Sequence, residues 1–166
     1  MMQKLIIEWL FRLRIKKNNI PVEGFKKIKN IVIIINLDEN TTCDLEALIY
    51  SFQALGKKVQ SIGVTLAEQT PEQNTMKMII KKDDFTFRGK PKTTEIQQFF
   101  NMKFDYVLLI DQSNNYLVNH VAIHCKANCY IGYRSIPENK LLTLQIAPLQ
   151  ENEHEDFLRY IKLIEN

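Results

Sequence analysis

Two uninterrupted apolar runs dominate the hydrophobic pattern of this chain. They read IVIII at 31–35 and YVLLI at 106–110, with no polar residue between apolar ones. Strands of this kind are buried on both faces, as in a parallel sheet that helices cover on either side. We therefore expect both runs to be inner strands of one sheet, adjacent or nearly adjacent to each other.

Weaker strand patterns and amphipathic helical patterns alternate along the rest of the chain. The pattern predicts further strands at 59–66, 76–80, 129–133 and 142–146, and helices at 44–55, 93–102, 114–126 and 151–164. Expected helix caps are Thr41, Thr42 or Asp44 for the first of these helices and the 111–113 segment for the third, and Gly56 is an expected stop. The predicted fold class is therefore α/β, a three-layer Rossmann-like sandwich with a mainly parallel sheet.

An extra basic helix is predicted at residues 3–17, ahead of the sheet. Residues 1–30 hold eight basic and two acidic residues, whereas the remainder holds fourteen basic and seventeen acidic ones. We therefore expect a basic N-terminal helix and connector at 1–30 and a single α/β domain at 31–166. The helix packs on its own domain, docks on a partner protein or, less favoured, lies on an anionic membrane surface. The partner-binding candidates are Trp9, Arg12 and Lys16.

Composition and cysteine content also predict the cellular compartment of the protein. The 166 residues match one domain, and three cysteines occur in a chain without a recognisable export signal or an apolar window of transmembrane length. We therefore expect reduced thiols, a cytoplasmic protein and no transmembrane segment.

Polar residues follow both apolar strands. In an open parallel sheet, ligands bind at the carboxyl ends of the strands. Asn36 and Asp38 follow the first run, and Asp111 and Ser113 follow the second. The two aspartates have the chemistry of a general base or of acceptors for sugar hydroxyls. The alternative is that these residues only cap helices. If they form a site, all four line one crevice.

Neither a cofactor nor a metal ion is expected. The chain has no GxGxxG or GxxxxGK motif and no glycine in the loop after the first strand, and Arg134 after Gly132 is an isolated anion-binding candidate. His120 and His124 are one helical turn apart, at the edge of the predicted apolar face. Cys125, however, points about 100° away from His124, and zinc needs three or four converging ligands.

The segment 81–92 interleaves two phenylalanines with five basic residues. Arg88 and Lys90 are therefore candidates for contact with a partner, although Phe85 and Phe87 could instead both anchor the turn to the sheet. Nucleic acid is not expected as a partner, because Asp83 and Asp84 dilute the local charge and the basic excess of the chain is confined to its start.

Three stretches carry a family resemblance: IVIIINLDE, DDFTFRGKPK followed by FF, and FDYVLLIDQSNNYLVNHVAIHCKANCYIGY. Together they resemble an uncharacterised bacterial family of small α/β proteins with a basic N-terminal helix, a domain of unknown function. The segment from Phe104 to Tyr133 also looks like the late N-terminal half of heptosyltransferase-type glycosyltransferases. This second resemblance implies a Rossmann-like fold. Those enzymes carry Gly-Asp after the first strand, where this chain reads Asn36-Leu37-Asp38-Glu39, and they hold their donor largely on a second domain.

Two functional interpretations follow. The first is a non-enzymatic cytoplasmic binding or adaptor protein that uses the basic helix or the carboxyl edge of the sheet. The alternative is a glycosyltransferase-like or sugar- or nucleotide-binding half-domain that uses the loops after the first and fourth strands, with Asp38 as the candidate base.

Overall fold

The computed structural model describes residues 24–40, 43–68, 75–133, 140–147 and 153–164. These contain six strands, which are β1 (Asn30–Asn36), β2 (Lys58–Thr65), β3 (Met78–Lys81), β4 (Lys103–Ile110), β5 (Lys126–Tyr133) and β6 (Leu144–Ile146). They also contain four α-helices, which are α1 (Leu45–Ala54), α2 (Thr94–Phe100), α3 (Tyr116–His124) and α4 (Glu153–Lys162). The predicted helix at 3–17 and Arg134 lie outside the described residues.

The described strands form one open sheet in the order β3-β2-β1-β4-β5-β6, and every neighbouring pair is parallel. The predicted adjacency of the two apolar runs is confirmed, because β1 pairs with β4 from Ile31 opposite Tyr106 to Ile35 opposite Ile110. The predicted α/β, Rossmann-like fold class is likewise confirmed, with all described strands parallel.

Alternate residues of β1 build two separate cores, one on each side of the sheet. Ile31, Ile33 and Ile35 pack with residues of α1 and α4, whereas Val32 and Ile34 pack with residues of α2 and α3. All five side chains are at most 3% exposed. Because neither face meets water, the strand has no need of polar alternation, which explains the pattern in the sequence.

The cap and the stop of α1 are among those expected, whereas the expectation that residues 111–113 cap α3 is wrong, because its cap is Asn115. Asp44 caps α1 by accepting a hydrogen bond from the Ala47 backbone N–H at 2.9 Å, and Gly56 adopts a φ of +76° just beyond the helix. Thr93 caps α2 through the Ile96 N–H. The predicted helix 114–126 is shorter than expected. It begins after its cap, Asn115, and ends at His124, because residues from Lys126 onward pair with β4.

The connector ahead of β1 is part of the packed domain. Phe25 and Ile28 are buried in the same core as α1 and α4. The Lys57 Nζ donates hydrogen bonds to the carbonyls of Phe25 at 2.8 Å and Ile28 at 2.9 Å, and it lies 4.6 Å above the Phe25 ring centroid. Residues 25–28 are therefore anchored on the domain.

None of the described helices has the length and apolar character that crossing a membrane requires.

Candidate functional site: the crevice between β1 and β4

The crevice lies where the chain order of the sheet reverses. The chain leaves β1 toward β2 on one side, whereas β4 pairs with the other side of β1 and continues toward β5. The two helices that follow, α1 and α3, pack on opposite faces of the sheet. The loops after β1 and β4 therefore diverge, and in open α/β sheets this is the position where ligands bind.

A hydrogen-bonded network of four side chains closes the floor of the crevice. The Asn36 Nδ2 donates to Asp111 Oδ1 at 3.0 Å and to Ser113 Oγ at 3.2 Å, and the Ser113 hydroxyl donates to the same carboxylate oxygen at 3.0 Å. The second oxygen of Asp111 accepts the backbone N–H of Asn115 at 2.8 Å. Asn115 also caps α3 by accepting from the Leu117 N–H at 2.9 Å. The network thus fixes the loop and the start of the helix together.

Asp111 is the buried carboxylate of this network, with 6% of its surface exposed. Burial raises the pKa of Asp111 to about 6, and the nearby Glu39 carboxylate adds to the rise. Hydrogen bonds from Asn36, Asn115 and Ser113 act in the opposite direction because they stabilise the ionised form. The group therefore exchanges a proton close to neutral pH, although both of its oxygens are already engaged.

Glu39 joins the two loops across the crevice. Its carboxylate accepts the backbone N–H of Gln112 at 2.9 Å and that of Ser113 at 2.6 Å. Burial alone would raise the pKa of Glu39, but these hydrogen bonds outweigh it and the pKa is lowered. Sequence reasoning did not single out Glu39. Consecutive backbone N–H groups in such a loop are the donors that many α/β proteins offer to a ligand anion.

Asp38 faces the opposite neighbour of β1. Its two carboxylate oxygens accept the Thr65 hydroxyl at 2.5 Å and the Leu66 backbone N–H at 2.8 Å, at the end of β2. Its own backbone N–H donates to Asn36 Oδ1 at 3.1 Å. Of the four residues expected to line one crevice, Asn36, Asp111 and Ser113 are therefore in direct contact, whereas the Asp38 side chain holds the β2 loop.

An open depression of about 370 Å³ lies beside the network, lined by Glu39, Asn40, Gln112 and Ser113. Three of these four side chains carry acceptor oxygens of a carboxylate or an amide, and the fourth is a hydroxyl. Such a lining suits the hydroxyl groups of a ligand better than its phosphates.

The histidines of α3 form a packing cluster with aromatic rings. His120 was expected at the edge of an apolar face, and that expectation is wrong, because its side chain is fully buried. Phe85 covers it edge-on with ring centroids 4.7 Å apart, and the His120 Nε2 lies 3.0 Å from the Gly89 carbonyl oxygen. Among the described residues, no group of three or more His, Cys, Asp or Glu side chains is placed to hold a metal ion.

The remaining partner-binding candidates lie apart from the β1–β4 loops or outside the described residues. Arg88 and Lys90 are exposed on the turn that precedes α2. Trp9, Arg12 and Lys16 belong to the segment that the structure does not describe.

Fold and site together define a Rossmann-like α/β protein. Its crevice between β1 and β4, where the chain order of the sheet reverses, is closed by the carboxylates of Glu39 and Asp111. The model of the family of unknown function DUF6913 matches residues 3–163, and the chain belongs to that family. Neither the curated proteins nor the solved structures gave a match.

Proposed function

We propose that this protein is a non-enzymatic binding protein, an adaptor that recognises a partner protein in the cytoplasm. The observation that carries the proposal is the hydrogen-bonding of Glu39 to the N–H groups of Gln112 and Ser113. Many α/β enzymes bind anionic substrates at this edge of the sheet. Here the Glu39 carboxylate of the chain itself occupies the N–H groups that such a substrate would use.

Electrostatics at the same edge argue against a nucleotide or a nucleotide sugar. The start of α1 carries Asp44 as its cap and Glu46 in its first turn, and the N–H groups of the loop ahead of α3 carry the Glu39 carboxylate. A phosphate group placed there would be repelled by these charges. Asp38 is also a poor candidate for a base, because both of its oxygens already accept hydrogen bonds.

The state of the cysteines supports the cytoplasm as the compartment. Cys125 and Cys129 are free thiols, and both are buried. Burial raises the pKa of Cys129 to about 12, so this thiol stays protonated and unreactive. Free buried thiols are typical of a reducing compartment.

The proposal is tested by measuring ligands and partners side by side. Nucleotides, nucleotide sugars and inorganic phosphate at millimolar concentration are expected to leave the melting temperature of the full chain unchanged. Cross-linking in cells is expected to trap a protein partner whose complex reassembles from the two purified proteins in a fixed ratio. Stabilisation by a nucleotide sugar, or turnover of one, would contradict the proposal.

A second candidate function is the binding of a hydroxyl-rich small molecule such as a sugar, favoured by the acceptor-lined depression beside Glu39. Neutral sugars belong in the same melting-temperature screen. A sugar that stabilises the wild-type chain and fails to stabilise Ser113→Ala would favour this function over the adaptor.

A further inference from the structure

The turn between β3 and α2 is a rigid, self-contained loop. Phe85 and Pro91 pair across its base in an antiparallel bridge, and the Thr86 N–H donates to the Lys90 carbonyl at 2.8 Å. The Gly89 N–H donates to the Thr86 carbonyl at 2.8 Å, with Gly89 at a φ of +71° that other residues rarely adopt. The backbone conformation of the turn is therefore fixed by its own hydrogen bonds.

Two side chains fasten this turn to the domain. Phe85 is 1% exposed and packs against Phe100 and the two histidines of α3. On the same inner side, the His120 Nε2 is 3.0 Å from the Gly89 carbonyl oxygen. Backbone and anchors together hold the outer part of the turn in one orientation.

The outer part, residues 86–90, presents an aromatic ring and two cations to solvent. Phe87 is 52% exposed, and Arg88 and Lys90 are exposed beside it. The sequence left open whether Phe85 and Phe87 both anchor the turn, and the structure gives that role to Phe85 alone. An exposed aromatic residue next to an arginine has the composition of an interface hot spot. A rigid loop also loses little conformational entropy when a partner binds.

The charge around this tip indicates the chemistry of the partner. Residues 81–92 carry five basic side chains and two acidic ones. One residue of each sign is engaged at the base of the turn, because the Asp84 carboxylate accepts the Lys81 backbone N–H at 2.7 Å and the Lys81 Nζ donates to the Glu68 carbonyl at 2.8 Å. The excess of positive charge in the segment is therefore unchanged. The tip is therefore complementary to an acidic segment that also offers an apolar side chain to cover Phe87.

We propose that residues 86–90 are a docking tip for an acidic segment of a partner protein, with Phe87 as the apolar anchor and Arg88 as the main cation. This inference rests on the proposed adaptor function and adds the surface and the partner chemistry to it. A protein is favoured over a nucleic acid because, within residues 86–90, Phe87 is the single exposed ring available for stacking.

The test uses the full chain and four fluorescent probes of defined chemistry. Three are pools of 12-residue peptides with equal apolar content that are acidic, neutral or basic, and the fourth is a 12-nucleotide single-stranded RNA. Anisotropy titrations are expected to detect binding of the acidic pool alone. We expect Phe87→Ala and Arg88→Glu each to weaken that binding at least tenfold, and higher salt to weaken it further.

Matched controls separate the tip from general surface effects. Tyr50→Ala removes an exposed aromatic ring on α1, and Lys58→Glu reverses an exposed charge at the start of β2, and neither is expected to change binding. His120→Leu removes the hydrogen bond to Gly89 and is expected to weaken binding, whereas His120→Gln keeps a donor at that position and is expected to retain it.

Three outcomes would overturn the inference. If the acidic pool binds Phe87→Ala and Arg88→Glu as tightly as the wild type, the tip is not the contact surface, but the adaptor function still stands. If the RNA binds the tip more tightly than the acidic peptides, the partner class is wrong. If no probe binds the wild-type chain, the docking tip is refuted, whereas the adaptor function is refuted only by its own ligand and partner measurements.

Discussion

The Glu39 carboxylate lies 2.6 Å from the backbone nitrogen of Ser113, and this hydrogen bond connects the loop after β1 with the loop after β4. The second carboxylate oxygen binds the adjacent N–H of Gln112, so one side chain satisfies two consecutive donors. Hydrogen bonds to an ionised acceptor are stronger than those between neutral groups. Glu39 therefore sets the separation of the two loops.

Removing this carboxylate is expected to weaken the domain and to uncover a binding position. Glu39→Ala should lower the free energy of unfolding by about 1–3 kcal/mol, because two N–H groups lose a charged acceptor. Sulfate or phosphate should then raise the melting temperature of the variant more than that of the wild type, which urea denaturation and thermal scans measure. The control is Glu68→Ala, an exposed position, with an expected change within about 0.5 kcal/mol. Equal responses of both variants to anions would contradict the assigned role.

The raised pKa of Asp111 predicts how stability depends on pH. Between its ordinary value of 3.8 and about 6, the folded chain binds this proton more tightly than the unfolded chain does. The contribution of Asp111 to stability is therefore fully present below pH 3.8 and is lost as the pH rises through 6, by about 3 kcal/mol for a shift of this size. The contribution of Glu39 to stability depends on pH in the opposite direction, because its pKa is lowered and the contribution is therefore lost in acid.

Urea denaturation at intervals between pH 4.5 and 8 measures this dependence. The free energy of unfolding is expected to fall as the pH rises through 6, and Asp111→Asn should flatten that slope. A stability that climbs steadily from pH 5 to 8, or a slope that the variant leaves intact, would disprove the prediction.

Two phenylalanines that are two positions apart should respond very differently to substitution. Phe85→Ala is expected to lower the free energy of unfolding by about 3–5 kcal/mol, because it empties a buried site between the rings of Phe100 and His120. Phe87→Ala is expected to change it by no more than about 0.5 kcal/mol, because that ring is half exposed. Calorimetry of the two variants decides this, and comparable losses in both would place Phe87 in the packing of the turn.

Lys57 should fasten the connector to the domain. Lys57→Met keeps the length of the side chain and removes the donor that holds the carbonyls of Phe25 and Ile28, so we expect a loss of about 1–3 kcal/mol. Limited proteolysis should also cut the connector near Phe25 faster in this variant. Lys58→Met, at the exposed neighbouring position, is the matched control. Unchanged cleavage in Lys57→Met would contradict the role.

The sheet could be predicted because the apolar pattern of its inner strands is visible in the sequence. The runs at 31–35 and 106–110 are apolar on both faces, and only inner strands of a covered parallel sheet tolerate that pattern. The start of β5 was missed because Lys126 and Asn128 are exposed, so the pairing of that end with β4 depends on backbone hydrogen bonds rather than on an apolar pattern.

The details of the site could not be predicted, because loops have no periodicity. Asp38 and Glu39 are adjacent carboxylates in sequence, yet one binds the end of β2 and the other the loop after β4. The path of the backbone decides which neighbour each one reaches. The same limit explains Phe85 and Phe87, which would share one face of a regular strand, but the turn at Gly89 sends only the first inward.

The order of the strands also affects how this protein folds while it is being synthesised on the ribosome. Strand β1 forms early, but its second hydrogen-bonding edge belongs to β4, and residues 37–102 must be synthesised between the two. Until then the apolar strand β1 has one open edge, which is the feature that promotes intermolecular pairing. A contact this distant in sequence also slows folding. A nascent chain stalled before residue 103 should therefore be the form of this protein that most needs a chaperone.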